Sequence, residues 1–390
     1  MVRDAEKMDS LLKTIRRFVH DTAIPNEDRV EREDGIPEEI VEEGRRLGFF
    51  GWSIPEEYGG SGLTTEELAL AFMELSQCSV AYRVHFGTNA GIGSETIVRD
   101  GTEDQKRKYL PRLASGELLG CLALTQPDAG SDALSLKTTA QSTGKGEYIL
   151  NGTKRYITLA PIADLFAVFA RTDADEQGTA GVTAFLIEKG TPGLNVSEST
   201  PKMGQEGAPI GEVYLENCRV PATSIIGGVP GRGFKTVMKA LNKQRVNLAA
   251  LCTGPAIRML DEALRYARER YQFGKAIGEF QLIQAMLAEC KVEVEAARAL
   301  ILETARKRDA GDEVRMDVSL CKYFATEMCG RVADRVVQIF GGQGYVKGRG
   351  IERFYRDVRA FRIYEGTSQI HLLNIAKNLL RQHPVKDNFE

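Results

Sequence analysis

The sequence predicts an α+β protein, mostly α, with an N-terminal helical domain, a central β domain of barrel or sandwich type and a C-terminal four-helix bundle. The main observation is that the apolar residues change their period twice. The period is three to four residues up to about residue 120, two residues from there to about residue 230, and three to four again beyond it. A chain of 390 residues is also too long for one ordinary core. We therefore predict three domains, at residues 1–120, 121–230 and 231–390.

Short amphipathic helices are predicted in the first domain. Leu11, Ile15 and Phe18 recur at helical spacing near its start. A later helix opens after Gly101 and is expected to end at Pro111, because proline disrupts a helix interior. These patterns give the domain its helical character.

The second domain contains short runs of β-branched and aromatic residues. They lie at residues 148–150, 155–158, 165–170, 182–187 and 213–215. Asn151-Gly152 stands between the first two runs and is a strong signal for a two-residue hairpin turn. The runs predict a separate β domain that contains at least this hairpin.

Long helical patterns return in the third domain, at residues 234–252, 257–271, 282–308 and 318–339. One face of the third helix is apolar, with Glu, Lys and Arg on the opposite face. The residues of the apolar face are Leu282, Met286, Cys290, Val294, Ala297 and Ile301. Amphipathic helices of this length predict an antiparallel bundle and can continue into a subunit interface.

Charge and composition exclude several classes of protein. The formal net charge of −3 offers no large positive field for a nucleic-acid backbone. The seven cysteines include no Cys-x-x-Cys pair, which predicts buried free thiols in a reducing compartment. The four histidines lack metal-ligand spacing, so no metal site is expected.

The sequence also lacks signals for a membrane protein. No apolar run reaches membrane-spanning length, and the first ten residues have no apolar core of a signal peptide. We expect a cytoplasmic protein without a membrane partner, or one of the mitochondrial matrix if a transit peptide has been removed. Phosphate-loop and serine-hydrolase motifs are missing from the sequence as well.

A single carboxylate near the C-terminus is the main candidate for catalysis. Glu365 lies between Tyr364 and Gly366, and Thr367 and Ser368 then favour the start of a helix. A carboxylate on a short turn between helices can point into an apolar cavity, where burial adapts a glutamate to proton abstraction. These residues alone also leave a structural role open. In that role, Glu365 caps the helix and pairs with one of the arginines that precede it.

Four segments, taken together, resemble the signatures of the acyl-CoA dehydrogenase family in order and spacing. They are residues 124–132 (LTQPDAGSD), 270–277 (RYQFGKAI), 338–345 (QIFGGQGY) and 363–370 (IYEGTSQI). The resemblance covers nearly the whole chain and implies the same order of helical, β and helical domains. It also implies an FAD cofactor that is bound without the Rossmann glycine motif, which this sequence lacks.

The resemblance assigns Glu365 the role of base. It would remove the α-proton of an acyl-CoA thioester while the β-hydride passes to flavin N5, giving a trans-2-enoyl-CoA. The thioester carbonyl would be held by the amide N–H of Glu365 and a flavin hydroxyl, with Gly366 leaving room for it. Some branches of the family carry the base just before the position of Arg245, but that residue is here Gln244, which cannot take a proton.

Two groups of flavin contacts follow from the resemblance. Leu124 and Thr125 match contacts to the flavin pyrimidine edge, and Tyr156, Ile157 and Thr158 match the strand beside N5, although ordinary sheet packing would also explain that strand. The second group, which in relatives binds the FAD of a neighbouring subunit, is Arg270, Phe273, Gln338, Gly341 and Gly342, with Thr367 and Gln369 as further FAD contacts.

The substrate contacts implied by the resemblance are less regular. Ser131 and Arg245 match CoA contacts, although a surface salt bridge would also explain Arg245. Asn242 stands where some relatives carry Asp, and Gln126 and Asp128 replace a Glu and a Gly of the first signature. The walls of the acyl pocket would include Phe86, Gly87 and Tyr364, with Gly366 beside the thioester.

The resemblance also implies a homotetramer built as a dimer of dimers, and an electron-transfer flavoprotein as electron acceptor. Two other functions stay open. One is an oxygen-using flavoenzyme on the same scaffold, of nitroalkane oxidase or monooxygenase type, and Glu365 counts against it. The other is a non-catalytic scaffold that binds acyl-CoA and flavin, which the departures at Gln126 and Asn242 keep open.

Overall fold

Helices come first along the chain, strands follow, and helices return, as the sequence predicts. The computed structural model describes residues 1–173, 175–176, 178–348 and 350–383. The helices are α1 Ala5–Phe18, α2 Glu27–Glu33, α3 Glu38–Arg46, α4 Thr65–Leu75, α5 Val80–Asn89, α6 Ile92–Asp100, α7 Glu103–Ala114, α8 Gly233–Glu269, α9 Gln281–Asp309, α10 Arg315–Phe340, α11 Gly342–Tyr345, α12 Ile351–Val358 and α13 Ser368–Gln382. The strands are β1 Gly120–Ala123, β2 Thr139–Ser142, β3 Glu147–Thr158, β4 Leu165–Arg171, β5 Val182–Glu188, β6 Leu194–Val196, β7 Ile210–Pro221, β8 Tyr271–Gln272 and β9 Lys275–Ala276.

The chain contacts divide the protein into two units. Unit 1 combines Met1–Val19 and Thr65–Ser79 with the described residues from Arg245 onward, and unit 2 consists of His20–Thr64 and Val80–Gln244. Helices α1 and α4 therefore pack with the C-terminal helices, although they belong to the first third of the chain. The three consecutive domains of the sequence analysis stay a prediction.

Seven strands of unit 2 form one sheet in the order β1-β4-β2-β3-β7-β6, with β5 paired to β4. The predicted hairpin turn at Asn151-Gly152 is wrong, because β3 runs straight through these residues and pairs with β7 on both sides of them. The register shifts between Leu150 and Gly152, so the pair forms a bulge. Asn151 Oδ1 accepts the backbone N–H of Asn217 at 2.8 Å, which joins the bulge to β7.

Strand β4 is buried on both faces because two cores meet on it. Phe166 and Val168 belong to a cluster with residues of β3, β5 and β7. Leu165 and Phe169 point the other way and pack among residues of α6 and α7. Helix α7 continues through Pro111, where the sequence predicts its end.

In unit 1, helix α8 is longer than predicted. The sequence suggests two helices separated before residue 257, but α8 is continuous and contains Pro255 in its interior. Beside this proline, Gly254 packs closely against the end of α4 and the residue after it. A Cβ at Gly254 would lie 2.0 Å from the Ser76 hydroxyl oxygen, so glycine permits this close packing.

Helices α9 and α10 form much of the core of unit 1. The predicted apolar face of α9 is buried from Cys290 onward, whereas Leu282 at its start is 81% exposed. Each of the seven cysteines in the chain is buried and free, which confirms that prediction. Within the described residues, no helix is both long enough and apolar enough to cross a bilayer, and no acidic, histidine and cysteine side chains cluster as a metal site would require.

Candidate active site

Glu365 lies on the turn between the 3₁₀ segment Arg359–Arg362 and α13. Its φ of 57° is in the left-handed region, where a non-glycine residue is strained. The cap of α13 is Thr367, whose hydroxyl oxygen accepts the N–H of Ile370 at 3.3 Å. The alternative in which Glu365 caps this helix is therefore wrong.

Three basic side chains hold the backbone of this turn. Arg245 Nε donates to the carbonyl oxygen of Glu365 at 3.3 Å, and His371 Nε2 lies 3.2 Å from the same oxygen. Lys322 Nζ donates to the carbonyl oxygen of Gly366 at 2.6 Å. All three side chains are buried, so the orientation of two successive peptide groups is fixed from the protein side.

Burial and mutual repulsion determine the charges around the turn. Burial lowers the pKa of Lys322 to about 8, although nearby Cys252 and Glu365 oppose the shift. Burial also lowers the pKa of Arg245, and Glu365 opposes this shift too. Burial, Arg245 and Lys322 lower the pKa of His371 to about 3, so its imidazole is neutral and its Nε2–H donates to the Glu365 carbonyl.

Gly366 is required where it stands. Its φ is 98°, and a Cβ at this position would lie 2.9 Å from His371 Nε2 and 3.7 Å from an Arg245 nitrogen. A side chain would therefore strain the backbone and displace His371, one of the groups that hold the turn. Tyr364, on the other side of Glu365, packs edge-on against Phe361 with ring centroids 6.1 Å apart.

The arginines that precede Glu365 have partners of their own. Arg362 Nε lies 3.3 Å from a carboxylate oxygen of Glu327, and Arg356 forms an ion pair with Glu352 at 3.4 Å. Glu327 also accepts the Ser368 hydroxyl at 2.6 Å, which fixes the first turn of α13.

The predicted flavin contacts of unit 1 meet at the ends of α8 and α10. Tyr266 of α8 stacks on Phe340 of α10 with ring centroids 4.1 Å apart. This contact brings the C-terminal end of α8 together with the C-terminal end of α10. The segments at these two ends carry Arg270, Phe273, Gln338, Gly341 and Gly342. All five residues are exposed in the single chain. Gln369, also exposed, lies in the first turn of α13 beside the capping residue Thr367.

Phe273 has an unusual conformation for its residue type. It occupies the two-residue turn between β8 and β9, where Phe273 and Gly274 have φ values of 51° and 79°. Positive φ at both central positions defines a turn that usually contains Asn or Gly. The Phe273 ring meets the Phe280 ring edge-on at a centroid distance of 6.1 Å but is nevertheless 93% exposed, so burial in the core of a single chain does not explain it.

The predicted flavin contacts of unit 2 also meet. The N–H of Arg155 donates to the carbonyl oxygen of Thr125 at 2.9 Å, which joins the loop after β1, including Leu124, to β3. The register of β3 shifts between Lys154 and Ile157, and Tyr156 in this bulge has a φ of 57° and is 62% exposed. Ile157 is buried and Thr158 is half-buried at the end of the strand.

The predicted substrate contacts lie in both units. In unit 2, Ser131 is exposed in the loop after β1, and Asn242 is half-buried on α8. Gln244 is buried, as is Gly87 on α5. Phe86 is fully buried and packs against the rings of Phe49 and Phe50, at centroid distances of 5.6 and 5.2 Å.

Three of the predicted site residues have a strained backbone. In the described part of the chain, seven non-glycine residues have positive φ, and three of them are Tyr156, Phe273 and Glu365. Strained residues persist where the surrounding structure holds them, and they cluster at functional sites. Gly341 and Gly342 fit an FAD contact too, because nothing lies within 4 Å of a Cβ built at either position, so their backbone is open to a ligand.

Three buried basic residues, Lys322, His371 and Lys154, are not among the site residues predicted from the sequence. Lys322 had a readable signal, because it occupies the apolar face of α10 with Val318 and Ala325, where a lysine is out of place. Lys154 had no comparable signal, since it stands among polar neighbours in the sequence, whereas His371 lies between Ile370 and Leu372.

Comparison with known proteins identifies the family. The models of the acyl-CoA dehydrogenase N-terminal, middle and C-terminal domains match residues 5–117, 121–218 and 231–380. The chain belongs to the acyl-CoA dehydrogenase family. This acyl-CoA dehydrogenase is an FAD-dependent oxidoreductase, which confirms the predicted enzyme class and cofactor.

Relatives with known names include both dehydrogenases and reductases. The chain is 39% identical to a 3-(aryl)acrylate reductase of Clostridium sporogenes, over 96% of this chain and 99% of that protein. It is 36% identical to the caffeyl-CoA reductase-Etf complex subunit CarC of Acetobacterium woodii, over 95% and 98%. The solved butyryl-CoA dehydrogenase of Megasphaera elsdenii is 34% identical, with a TM-score of 0.93 over 98% of this chain and all of that one.

Proposed function

We propose that this acyl-CoA dehydrogenase removes the α-proton and the β-hydride of an acyl-CoA thioester, with Glu365 as the base. The observation that carries the proposal is the strained turn at Glu365, which three buried basic side chains hold by its backbone. These contacts fix the backbone from which the carboxylate of Glu365 projects. An ordinary surface turn has no need of them.

The chemistry follows from the groups around the turn. A Glu365 carboxylate oxygen takes the α-proton, and the electron pair of that C–H bond forms the Cα=Cβ double bond as the β-hydride leaves. The amide N–H of Glu365 stabilises the negative charge that develops on the thioester oxygen. Arg245 and Lys322 donate to the carbonyl oxygens of this turn and so place positive charge close to Glu365.

FAD, when bound, supplies the acceptor for the hydride. The residues that would hold it are Leu124, Thr125, Tyr156, Ile157 and Thr158 in unit 2 and Arg270, Phe273, Gln338, Gly341, Gly342, Thr367 and Gln369 in unit 1. Exposure of Arg270, Phe273 and Gln338 in the single chain supports contacts to the FAD of a neighbouring subunit, and with them a homotetramer. For the substrate, Ser131, Asn242 and Arg245 would contact CoA, with Tyr364 and Gly366 beside the acyl group.

The names of two relatives favour a second direction for the same reaction. The relatives from Clostridium and Acetobacterium are reductases, and the second is a subunit of a complex with an electron-transfer flavoprotein. In the reductive direction, protonated Glu365 returns the proton to the α-carbon of a 2-enoyl thioester as a hydride reaches the β-carbon. We propose an electron-transfer flavoprotein as the electron partner in either direction.

An anaerobic titration tests the reaction class. The FAD-loaded enzyme is mixed with a panel of saturated acyl-CoAs, straight, branched and aryl-substituted, and the oxidised flavin absorbance is followed. We expect one class to bleach the flavin and yield the 2-enoyl-CoA. The dithionite-reduced enzyme, mixed with the matching enoyl-CoA, reports the opposite direction. Absence of any flavin change in both experiments would contradict the proposal and favour the oxygen-using or non-catalytic alternatives.

Phe273→Gly tests the proposed flavin contact at the exposed turn. Glycine tolerates a φ of 51°, so the free energy of unfolding of the apoprotein should stay the same or rise by up to about 1 kcal/mol. FAD retention after gel filtration should fall, because the aromatic surface is lost. Leu282→Ala, at a residue that is 81% exposed, is the control for removal of exposed apolar surface. Normal FAD retention in Phe273→Gly would contradict the contact.

A further inference from the structure

A buried lysine in unit 2 joins the two groups of proposed flavin contacts there. Lys154 precedes the bulge of β3, and its side chain has 0% exposure. Its Nζ donates to the carbonyl oxygen of Leu124 at 3.1 Å and to Oε1 of Gln126 at 3.1 Å. The next residue, Arg155, donates its N–H to the Thr125 carbonyl at 2.9 Å. The loop after β1 is therefore attached to β3 through two successive residues, one by its side chain and one by its backbone.

The amide oxygen of Gln126 is the common acceptor of this arrangement. Besides Lys154, it accepts the N–H of Thr138 at 3.2 Å and the Thr138 hydroxyl at 2.7 Å. Gln126 is itself buried, with 6% exposure. Thr138 immediately precedes β2, so one oxygen connects β2, β3 and the loop that carries Leu124 and Thr125. A shift of any one of these elements would disturb the other two.

The ammonium group of Lys154 has no counter-ion in the described residues. Both of its acceptors are neutral, and burial alone lowers its pKa to about 7. Charged groups on the surrounding elements have other partners. Arg155 pairs with Glu212 at 2.6 Å, Glu212 accepts the Tyr214 hydroxyl at 2.9 Å, Lys137 pairs with Asp128 at 3.0 Å, and Arg171 donates to the Leu134 carbonyl at 2.6 Å. A buried cation without a counter-ion is costly and is retained where it has a use.

We propose that Lys154 is a positioning residue for the bound flavin. The lysine fixes the loop at Leu124–Gln126 against the β3 bulge, and it leaves an uncompensated positive charge beside the flavin contacts. The inference rests on the proposed FAD contacts of Leu124, Thr125 and Tyr156. Reduction adds negative charge to a flavin, and a nearby positive charge therefore favours the reduced form. Gln126 matters as much as the lysine, because a carboxylate at this position would cancel the charge.

Lys154→Met tests the anchoring role. The substitution keeps the length of the side chain and removes both hydrogen bonds, so we expect FAD affinity to fall roughly tenfold. The midpoint potential of the flavin that stays bound should become more negative. Lys137→Met is the matched control, since Lys137 is an exposed lysine that pairs with Asp128 in the same region. Unchanged affinity and potential in Lys154→Met would overturn the proposal.

Gln126→Glu tests the effect of the positive charge of Lys154. It also tests the proposed role of Lys154 if Lys154→Met does not fold. The glutamate keeps an acceptor for Lys154 and compensates its charge, so FAD affinity should change by less than about threefold while the potential becomes more negative. The pH dependence of apoprotein unfolding gives a second readout. The folded-state pKa of about 7 is below the unfolded value of 10.5, so the lysine makes stability rise with pH between these values in the wild type. That rise should be smaller in Gln126→Glu, and an unchanged potential and pH profile would contradict the proposal.

These readouts separate the inference from the proposed reaction. FAD affinity, midpoint potential and apoprotein unfolding require no substrate and no turnover. Failure of acyl-CoA to bleach the flavin would remove the proposed function and leave the role of Lys154 intact. Wild-type flavin properties in both variants would remove the role of Lys154 even if bleaching is normal.

Discussion

Glu365→Gln is expected to lose flavin bleaching by acyl-CoA, with the rate about 10²–10⁴-fold lower than in the wild type. Glutamine keeps the size and hydrogen-bonding ability of the side chain but cannot take a proton. The backbone contacts to Arg245, His371 and Lys322 do not involve the side chain, so the fold and FAD content should be retained. Stopped-flow measurement of flavin absorbance under anaerobic conditions gives the rate directly.

The control for this experiment is a carboxylate of similar exposure in the same unit. Glu262 is half-buried on α8 and pairs with Arg258 at 2.8 Å, far along the helix from Arg245. Glu262→Gln should bleach at the wild-type rate. Equal rates for Glu365→Gln and the wild type would show that another group is the base. Loss of bleaching in the control Glu262→Gln would point to a structural effect of removing a carboxylate.

Lys322→Met is expected to slow bleaching by about 10–100-fold without changing FAD content. The Gly366 carbonyl loses its buried donor, so the turn that carries Glu365 loosens, and small misplacements of a catalytic group have effects of this size. For the same reason, the free energy of unfolding should fall by about 1–3 kcal/mol. Since a positioning residue acts on the chemical step, the rate constant should change more than the acyl-CoA concentration that gives half of the maximal rate.

The pH dependence of unfolding gives an independent check on Lys322. Its pKa of about 8 in the folded protein is below the unfolded value of 10.5, so the unfolded state binds more protons between these values. The contribution of Lys322 to stability therefore rises with pH over this window and is lost as pH falls through it, and the variant should lack it. Lys307→Met, at an exposed residue paired with Asp317, is the control. A wild-type rate in Lys322→Met would exclude the positioning role.

Periodicity was sufficient to predict the order of helical and β regions, because amphipathic helices and strands have different spacings of apolar residues. It was insufficient where packing overrides local preference. Asn151-Gly152 forms a bulge because β7 supplies partners on both sides, and α8 passes through Pro255 where Gly254 lets α4 approach closely. Neither partner is visible in the local sequence.

The same distinction applies to the candidate site. Glu365 is a candidate on sequence alone because a carboxylate between Tyr and Gly is a local pattern that also matches a family signature. Lys322 is distant from it in the sequence and reaches Gly366 only because α10 packs beside the turn. Lys154 is similar, since the role proposed for it rests on its burial and on contacts to Leu124 and Gln126, which are distant in the sequence. Groups that act by supporting another residue leave little trace in one sequence.

The neutral imidazole of His371 has a consequence for the acid limb of the pH–rate profile. Histidine is the usual source of an ionisation between pH 5 and 8, but this one stays unprotonated down to about pH 3 because it is buried beside two cations. An inflection near neutral pH in this enzyme therefore cannot be attributed to His371, which contacts the proposed base Glu365. The pKa of His371 is 6.5 in the unfolded chain, so below this pH the unfolded state binds more protons than the folded one. Acid therefore destabilises the turn that His371 holds.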